Sequence, residues 1–334
     1  MSHFVGKGHL GYETMDHLPV NRGFHSHVGY LEGSQSYYWG CASANGNCSA
    51  DPLSPGHDMW HDLTPGTDVV GEIFYSANFY TSVATAIIKN HAAKYSAENG
   101  DVINTPLFLY LPYQNVHSPN QNPAPWETHS YPSWSPGRGE EKTMQIYANM
   151  LDMLDSGLAN VSAALTSEGM WSDTLLVFSA DNGGVGALGN NHPLRGHKHD
   201  PWEGGVRTTA FLSGGFVPAA LRGTTSGAKF IHISDWYPTF CNLAGVDPTD
   251  TVMFNGKLRP IDGVDVWPLI TGTNTTQPRP LTAVTEVATP CHSYRTNLLR
   301  VPWLPSAELG EAPKIVVALV MLGRLTGPLN LVCR

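Results

Sequence analysis

The feature that most constrains this fold is a pair of short apolar runs separated by one long amphipathic pattern. Residues 106–112 (PLFLYLP) and 175–179 (LLVFS) are almost wholly apolar and too short for core helices, so each predicts a strand buried on both faces. Between them, residues 142–166 carry apolar side chains at helical spacing and predict an amphipathic helix. Strand, helix and strand in this order are typical of an α/β fold with a mainly parallel sheet.

Other segments add to this architecture or connect it. Residues 73–89 and 233–244 show helical spacing, and residues 206–212 predict a third strand. Residues 1–70 are rich in Gly, His, Tyr and Asn without a sustained period, and residues 118–140 are rich in proline. We therefore expect loops in both of these regions.

Composition excludes several classes of partner. The 334 residues include 19 basic and 28 acidic side chains, a formal net charge of −9, which argues against binding to a nucleic-acid backbone. The longest aliphatic run covers residues 315–322, whereas a membrane-spanning helix needs about 20 apolar residues. We therefore expect neither a nucleic acid nor a membrane as a partner.

Several features are typical of exported proteins. Asn47, Asn160 and Asn274 each begin an Asn-x-Ser/Thr sequon, the acceptor motif for N-glycosylation. Cys41 and Cys48 lie seven residues apart in a Gly-rich polar segment, a spacing that a local disulfide can close. Because the first residues contain no apolar signal segment, an exported chain of this kind is expected to be a fragment. Chance sequons and free thiols are the alternative interpretation.

Polar clusters follow the two best predicted strands. Asp181 and Asn182, followed by two glycines, come directly after the second apolar run and offer two hard oxygen ligands for calcium or magnesium. An Asx turn that closes the strand is the alternative interpretation of that cluster. His117 follows the first apolar run, although a single loop histidine is usually only solvated. In an open α/β sheet, both clusters lie at the edge where ligands bind.

Two further clusters combine cations with glycines. Lys7 and His9 alternate with glycines near the start of the chain, which brings backbone, charge and a titratable proton close together. An unstructured N-terminal segment is the alternative there. Lys198 belongs to a cationic, glycine-rich stretch that leads toward the third predicted strand, a composition that suits an oxyanion.

Taken in order, these clusters resemble the sulfatase family, most closely its arylsulfatase B type. The resemblance is collinear over roughly residues 4–272. The matching segments are residues 6–11 (GKGHLG), 22–24 (RGF), 29–34 (GYLEGS), 75–78 (YSAN), 115–119 (NVHSP), 181–184 (DNGG), 189–198 (GNNHPLRGHK), 202–207 (WEGGVR), 232–239 (HISDWYPT) and 261–267 (IDGVDVW).

The resemblance implies a sulfuric ester hydrolase with an alkaline-phosphatase-like fold, a mostly parallel mixed sheet flanked by helices. The family acts on sulfated small molecules or glycans in secreted or lysosomal-type compartments. Its nucleophile is a formylglycine, made from a cysteine by a formylglycine-generating enzyme, with calcium beside it. By motif, Asp181 and Asn182 are the calcium ligands. We expect a partial catalytic domain over residues 1–280 and a divergent or truncated segment over residues 281–334.

The same resemblance assigns roles around the sulfate group. Lys7, His117 and Lys198 bind the sulfate oxygens, and His9 hydrogen-bonds the hydrated formylglycine and helps to expel sulfate. Either His117 or Lys198 protonates the leaving alcohol. These roles agree with the chemistry, because negative charge that develops on sulfate needs fixed donors and cations around it.

The sequence departs from the family at its most important element. None of the five cysteines begins a Cys-x-Pro-Ser-Arg motif, and the family's N-terminal strand with its two calcium-binding aspartates has no counterpart. We therefore expect a chain truncated at its N-terminus, without appreciable turnover and with weak calcium binding. Two alternatives stay open: a phosphatase or phosphodiesterase of the same superfamily, and a non-catalytic sulfated-glycan binder or incomplete gene model.

Overall fold

The computed structural model of the protein describes residues 1–38, 56–66, 75–96, 105–123, 141–186, 188–225, 229–249, 253–254, 257–258, 260–278, 297–299 and 315–321. Its strands are β1 (Ser2–Lys7), β2 (Ser26–Tyr30), β3 (Trp60–His61), β4 (Thr64–Pro65), β5 (Leu107–Pro112), β6 (Thr174–Ala180), β7 (Ala210–Ser213), β8 (Lys229–Ile231), β9 (Met253–Phe254), β10 (Lys257–Leu258), β11 (Asn297–Leu299) and β12 (Ile315–Met321). The helices are α1 (Ser76–Ser96), α2 (Glu141–Ser167), α3 (Glu203–Val206), α4 (Trp236–Leu243) and α5 (Trp267–Thr271).

One mixed sheet dominates the part of the chain that the structure describes. Its eight strands run in the order β4-β3-β2-β1-β5-β12-β6-β7. The central strands from β2 to β6 pair in parallel, whereas β3, β4 and β7 at the two edges pair antiparallel. This mostly parallel α/β sheet confirms the fold class that the sequence predicted.

Successive side chains of the strands point to opposite faces of the sheet, and helices cover the apolar side chains on both faces. On β6, Leu176 and Phe178 belong to the core shared with α1 and α2, whereas Leu175 and Val177 belong to the core shared with α4 and α5. All seven residues of β6 are buried, so the continuous apolar run predicted from the sequence follows from this two-sided packing. Complete burial of each such side chain contributes roughly 1.5–3 kcal/mol. Among the described residues, no helix is long and apolar enough to cross a membrane.

The predicted elements with the strongest patterns are confirmed. β5, α2 and β6 reproduce the expected strand, helix and strand to within one residue at each end. The expected strand over residues 206–212 is only partly correct. Its first residue ends the short helix α3, because the glycines before it pack against a loop, and β7 begins at Ala210.

The expectation of a loop over residues 1–70 is wrong for its first half. β1 and β2 are buried parallel neighbours near the middle of the sheet. Both are short and are interrupted by histidine and glycine, so their local pattern is weak, and the tertiary neighbours supply the burial that decides their conformation. The alternative of an unstructured N-terminal segment is therefore wrong as well.

The segment over residues 281–334 contributes to the main sheet. β12 pairs in parallel with β5 on one side and with β6 on the other, over six and seven residue pairs. The rest of that segment lies outside the described residues, apart from the three residues of β11. The expected boundary after residue 280 stays a prediction.

Candidate active site

The candidate site lies at the carboxyl edge of the parallel strands. Lys7 is the last residue of β1, Asp181 directly follows β6, and His117 follows β5 by a few residues. Parallel strands end at the same edge of a sheet, so the fold brings these residues together from distant parts of the sequence.

Lys7 is a buried cation in this site. Its side chain is only 4% exposed. Burial lowers the pKa of its ammonium group to about 8, while nearby Asp181 raises that pKa and nearby Lys198 lowers it. The preceding Gly6 has a φ of +122°, and a Cβ there would lie 2.2 Å from the carbonyl oxygen of Pro112. Glycine therefore permits the ends of β1 and β5 to approach closely and places Lys7 beside β5.

His9 has an unusual backbone conformation for a residue with a side chain. Its φ is +53°, in the left-handed region. Its backbone N–H donates to the carbonyl oxygen of Leu31 at 3.0 Å. Burial and nearby Lys7 lower the pKa of its imidazole, Glu32 raises it and Lys198 lowers it further. Burial and the two lysines thus disfavour a positive charge on this ring unless an anion is present.

His117 is held in a neutral form by its surroundings. Burial lowers the pKa of its imidazole most, and Lys7, Lys198 and His9 add to this effect. With the opposing hydrogen bond to Ser118, the resulting pKa is about 4. Its Nδ1 lies 2.8 Å from the carbonyl oxygen of Ser118, which requires the proton on Nδ1. Nε2 of the neutral ring is then an acceptor. His117 becomes a donor to an anion only after it takes up a proton.

Lys198 lies on a loop that is tied back to the end of β6. Its backbone N–H donates to the carbonyl oxygen of Gly184 at 2.9 Å. The side-chain amide of Asn191 accepts from the backbone N–H of Gly184 and donates to the carbonyl oxygen of the same residue, at 3.0 and 2.9 Å. The charge of Lys198 lowers the pKa values of Lys7, His9 and His117, so Lys198 lies in the same site as these three residues.

Asp181 and Asn182, the predicted metal ligands, lie directly after β6. Asp181 is exposed and interacts electrostatically with Lys7. The side-chain amide of Asn182 donates to the carbonyl oxygen of Gly183 at 2.9 Å. Within the described part of the chain, no group of three or more His, Cys, Asp or Glu residues could hold a metal ion. Calcium takes six to eight oxygen ligands, and the calcium site expected at Asp181 and Asn182 stays a prediction.

The predicted modification sites lie away from these groups or outside the described residues. Asn160 is exposed on α2 and lines a groove of about 540 Å³ between α1 and α2. Asn274 is exposed after α5, where its side chain accepts from the backbone N–H of Thr276 at 2.9 Å. Cys41, Asn47 and Cys48 lie outside the described residues, so their glycosylation and pairing stay predictions.

Sequence reasoning missed two acidic residues, one that acts on His9 directly and one that holds the turn against which His9 lies. Glu32 accepts a hydrogen bond from the Tyr12 hydroxyl and raises the pKa of His9. Asp58 is buried and accepts hydrogen bonds from the turn that contacts His9. Glu32 lies within residues 29–34, one of the segments that carry the family resemblance, so the sequence offered a reason to consider it. Asp58 carries no local signal, because the turn residues that it holds, Leu31 and Glu32, are distant in the sequence.

Comparison with known proteins identifies a single family. The family model described as Sulfatase matches residues 1–246. The chain is similar to Arylsulfatase J of Mus musculus, with 34% identity over 80% of this chain and 40% of that protein. It is also similar to Arylsulfatase A of Homo sapiens, with 28% identity over 80% of this chain and 48% of that protein.

Solved structures agree with these sequence relatives. The chain resembles the crystal structure of Ps i-CgsB in complex with k-i-k-neocarrahexaose, with a TM-score of 0.58 and 26% identity over 80% of this chain and 54% of that one. It shares the fold of PsFucS1 sulfatase from Pseudoalteromonas sp., with a TM-score of 0.50 and 22% identity over 79% of this chain and 50% of that one. The chain therefore spans about half or less of the length of each of these four proteins.

Proposed function

Because this chain belongs to the sulfatase family, we propose that its candidate site binds the sulfate group of a sulfuric ester and serves the hydrolysis of such esters. The observation that carries the proposal is the convergence of two lysines and two histidines, Lys7, Lys198, His9 and His117, on one edge of the sheet. A sulfate group is a compact anion that accepts several hydrogen bonds, and these four residues suit it once His117 has taken up a proton.

Sulfate oxygens are assigned to Lys7, Lys198 and His117. Two ammonium groups supply fixed positive charge, and the partly desolvated surroundings strengthen their attraction for the anion. Since the unliganded His117 is neutral at pH 7, Lys198 is the better proton donor for the leaving alcohol. Both assignments rest on the couplings among these groups and on the family motifs.

The attacking atom is not among these residues. In the family it belongs to a formylglycine, which supplies a hydrated aldehyde oxygen as nucleophile, and His9 is assigned to its hydrogen bonding and to expulsion of sulfate. Where no formylglycine is present, we propose that the His9 ring donates to the bound sulfate itself. The 334 residues contain no Cys-x-Pro-Ser-Arg motif. We therefore propose that these residues by themselves hold a sulfate ester without appreciable turnover, because ground-state binding does not accelerate the chemical step.

Calcium is assigned to Asp181 and Asn182, and we propose that it binds weakly. Sulfatases generally use a metal ion, which supplies positive charge beside the sulfate. Here the expected motif offers one carboxylate oxygen ligand and one amide oxygen ligand. Their single negative charge balances only part of the double positive charge of calcium. Among the described residues, Lys7 and Lys198 supply the positive charge that complements sulfate.

A sulfated glycan or small molecule is the proposed substrate class. The likeness to a solved structure that holds k-i-k-neocarrahexaose supports a carbohydrate. The three Asn-x-Ser/Thr sequons support passage through a secreted or lysosomal-type compartment. A non-catalytic binder of sulfated glycans is the second candidate function, favoured by the missing nucleophile motif.

The test compares ligands that share one aromatic group. Residues 1–334 are titrated with an aryl sulfate, the matching aryl phosphate and the free phenol, and sulfate release is measured with formylglycine-generating enzyme and calcium present. We expect the aryl sulfate to bind best, without measurable release of sulfate. Preference for the phosphate would support the phosphatase alternative. Turnover within tenfold of an intact arylsulfatase, abolished by Lys198→Ala, would overturn the proposed lack of a nucleophile.

A further inference from the structure

A buried carboxylate lies behind the turn that follows β2. Asp58 is 9% exposed, and its side chain accepts hydrogen bonds from the backbone N–H groups of Leu31 and Glu32, the latter at 2.7 Å. The indole N–H of Trp60 donates to the same carboxylate at 3.1 Å. Burial raises the pKa of Asp58 to about 6, although all three donors oppose that shift. The group is therefore a carboxylate at pH 7.

The turn held by Asp58 is the turn against which His9 rests. The carbonyl oxygen of Leu31 accepts the backbone N–H of His9, and that of Tyr30 accepts the N–H of Gly8 at 2.7 Å. Gly33, the third residue of the turn, lies against the His9 imidazole. A displacement of this turn would therefore move both the backbone and the ring of His9.

The left-handed backbone of His9 needs such support. A residue with a side chain in this conformation is strained, and the conformation persists only where its surroundings over-determine it. Its φ of +53° is stabilised by the hydrogen bond to Leu31 and by the close contact with Gly33. We propose that Asp58 is a positioning residue, which holds the turn after β2 in the geometry that fixes His9. Its consequence for sulfate binding rests on the proposed function.

The hairpin formed by β3 and β4, which follows Asp58 in the chain, provides a matched control. Asp62 also accepts a backbone hydrogen bond from β2, from the N–H of His27 at 2.8 Å. His27 lies on β2 before the turn, so the contact of Asp62 does not involve the residues that touch His9. Replacing either aspartate by asparagine removes a charge and leaves the shape unchanged. Only the change at Asp58 is expected to reach His9.

The experiment follows backbone amides by ¹H–¹⁵N NMR and measures the affinity for inorganic sulfate by calorimetry. We expect Asp58→Asn to shift the amide signals of Leu31, Glu32 and His9 and to weaken sulfate binding about tenfold. Asp62→Asn is expected to shift signals around His27, with sulfate affinity unchanged within twofold. Asp58→Ala, which removes every acceptor, is expected to exceed Asp58→Asn in both measurements.

Two outcomes would contradict the proposal. A folded Asp58→Asn protein with unchanged His9 signals would show that the turn keeps its geometry without the carboxylate. Equal loss of sulfate affinity in Asp58→Asn and Asp62→Asn would show a general loss of stability instead of positioning. If the unmodified chain binds no sulfate, the proposed function fails, and the His9 signals still decide whether Asp58 positions this residue.

Discussion

Gly33 and His9 are packed so closely that the glycine leaves no room for a side chain. A Cβ built on Gly33 would lie 2.7 Å from Nε2 of the His9 imidazole and 2.9 Å from its Cε1. Real Cβ atoms essentially never approach another heavy atom this closely, so the histidine would have to move. The position of the His9 ring therefore depends on the absence of a methyl group 24 residues away in the sequence.

Gly33→Ala tests this contact. We expect the substitution to turn the His9 ring away and to weaken the binding of inorganic sulfate about threefold to tenfold, because a misplaced donor loses its hydrogen bond. The exposed surroundings let the ring move, so the loss of stability should stay below about 1 kcal/mol. Calorimetry with sulfate and thermal unfolding provide the two measurements.

A double-mutant cycle identifies the cause. In a His9→Ala background the methyl group meets no ring, so Gly33→Ala should then change sulfate affinity by less than twofold. An effect of equal size in both backgrounds would show that Gly33→Ala acts through the backbone of the turn.

Sulfate binding should take up protons at mildly acidic pH. The pKa of the unliganded His117 is lowered to about 4, and a bound dianion favours the charged ring and raises that pKa. Affinity should therefore increase as pH falls toward 5, and it should lose this dependence above the raised pKa. Calorimetry in buffers of different ionisation enthalpy measures the uptake. His117→Gln should reduce it, and unchanged uptake would exclude His117 as the proton acceptor.

His27 should make the fold sensitive to acid. Its ring is fully buried beside Phe4, at 5.1 Å between ring centroids, and neither ring nitrogen has a hydrogen-bond partner among the described residues. Burial lowers its pKa to about 4, against about 6.5 in an unfolded chain. The unfolded state thus binds the additional proton, and stability is complete above pH 6.5 and falls as pH decreases toward 4.

The titration of His27 is expected to lower the free energy of unfolding by about 2 kcal/mol between pH 7.5 and pH 5. Denaturant unfolding at the two pH values measures it. His27→Leu should make stability less dependent on pH, whereas His192→Gln, a change at an exposed histidine, should leave the dependence unaltered. The same decline in all three proteins would contradict this account.

Calcium should bind weakly, in the range of tens of micromolar or above. Asp181→Asn should weaken binding further because it removes the carboxylate of the expected pair, whereas Asp16→Asn, at an exposed residue before β2, should not. Calorimetry with calcium chloride measures both. Sub-micromolar affinity in the unmodified chain would mean that residues other than the expected pair supply ligands.

Sequence patterns predicted the elements whose burial is visible locally. β5 and β6 contain continuous apolar runs because the sheet is covered on both faces, and α2 carries one clear apolar stripe. Asp181 and His117 could be assigned to one edge of the sheet because each follows a predicted strand. The rule that parallel strands end together needs no further information.

The remaining features depend on contacts between distant segments. β1 reads as Ser-His-Phe-Val-Gly-Lys, and its glycine is explained only by the approach of Pro112. Asp58 looks like an ordinary loop carboxylate until the turn at Leu31 and Glu32 is placed against it. The lowered pKa of Lys7 follows from its burial, which its glycine-rich sequence does not indicate.

The affinity of residues 1–334 for inorganic sulfate, with and without Lys198→Ala, tests the central claim most directly. We expect measurable binding to the unmodified chain at pH 6 and low salt, and a loss of about tenfold or more in the variant, because one charge-assisted hydrogen bond disappears. Lys89→Ala, which removes an exposed lysine on α1, should bind sulfate like the unmodified chain. Equal affinity in all three proteins, or no binding in any, would contradict a sulfate site built from Lys7, His9, His117 and Lys198.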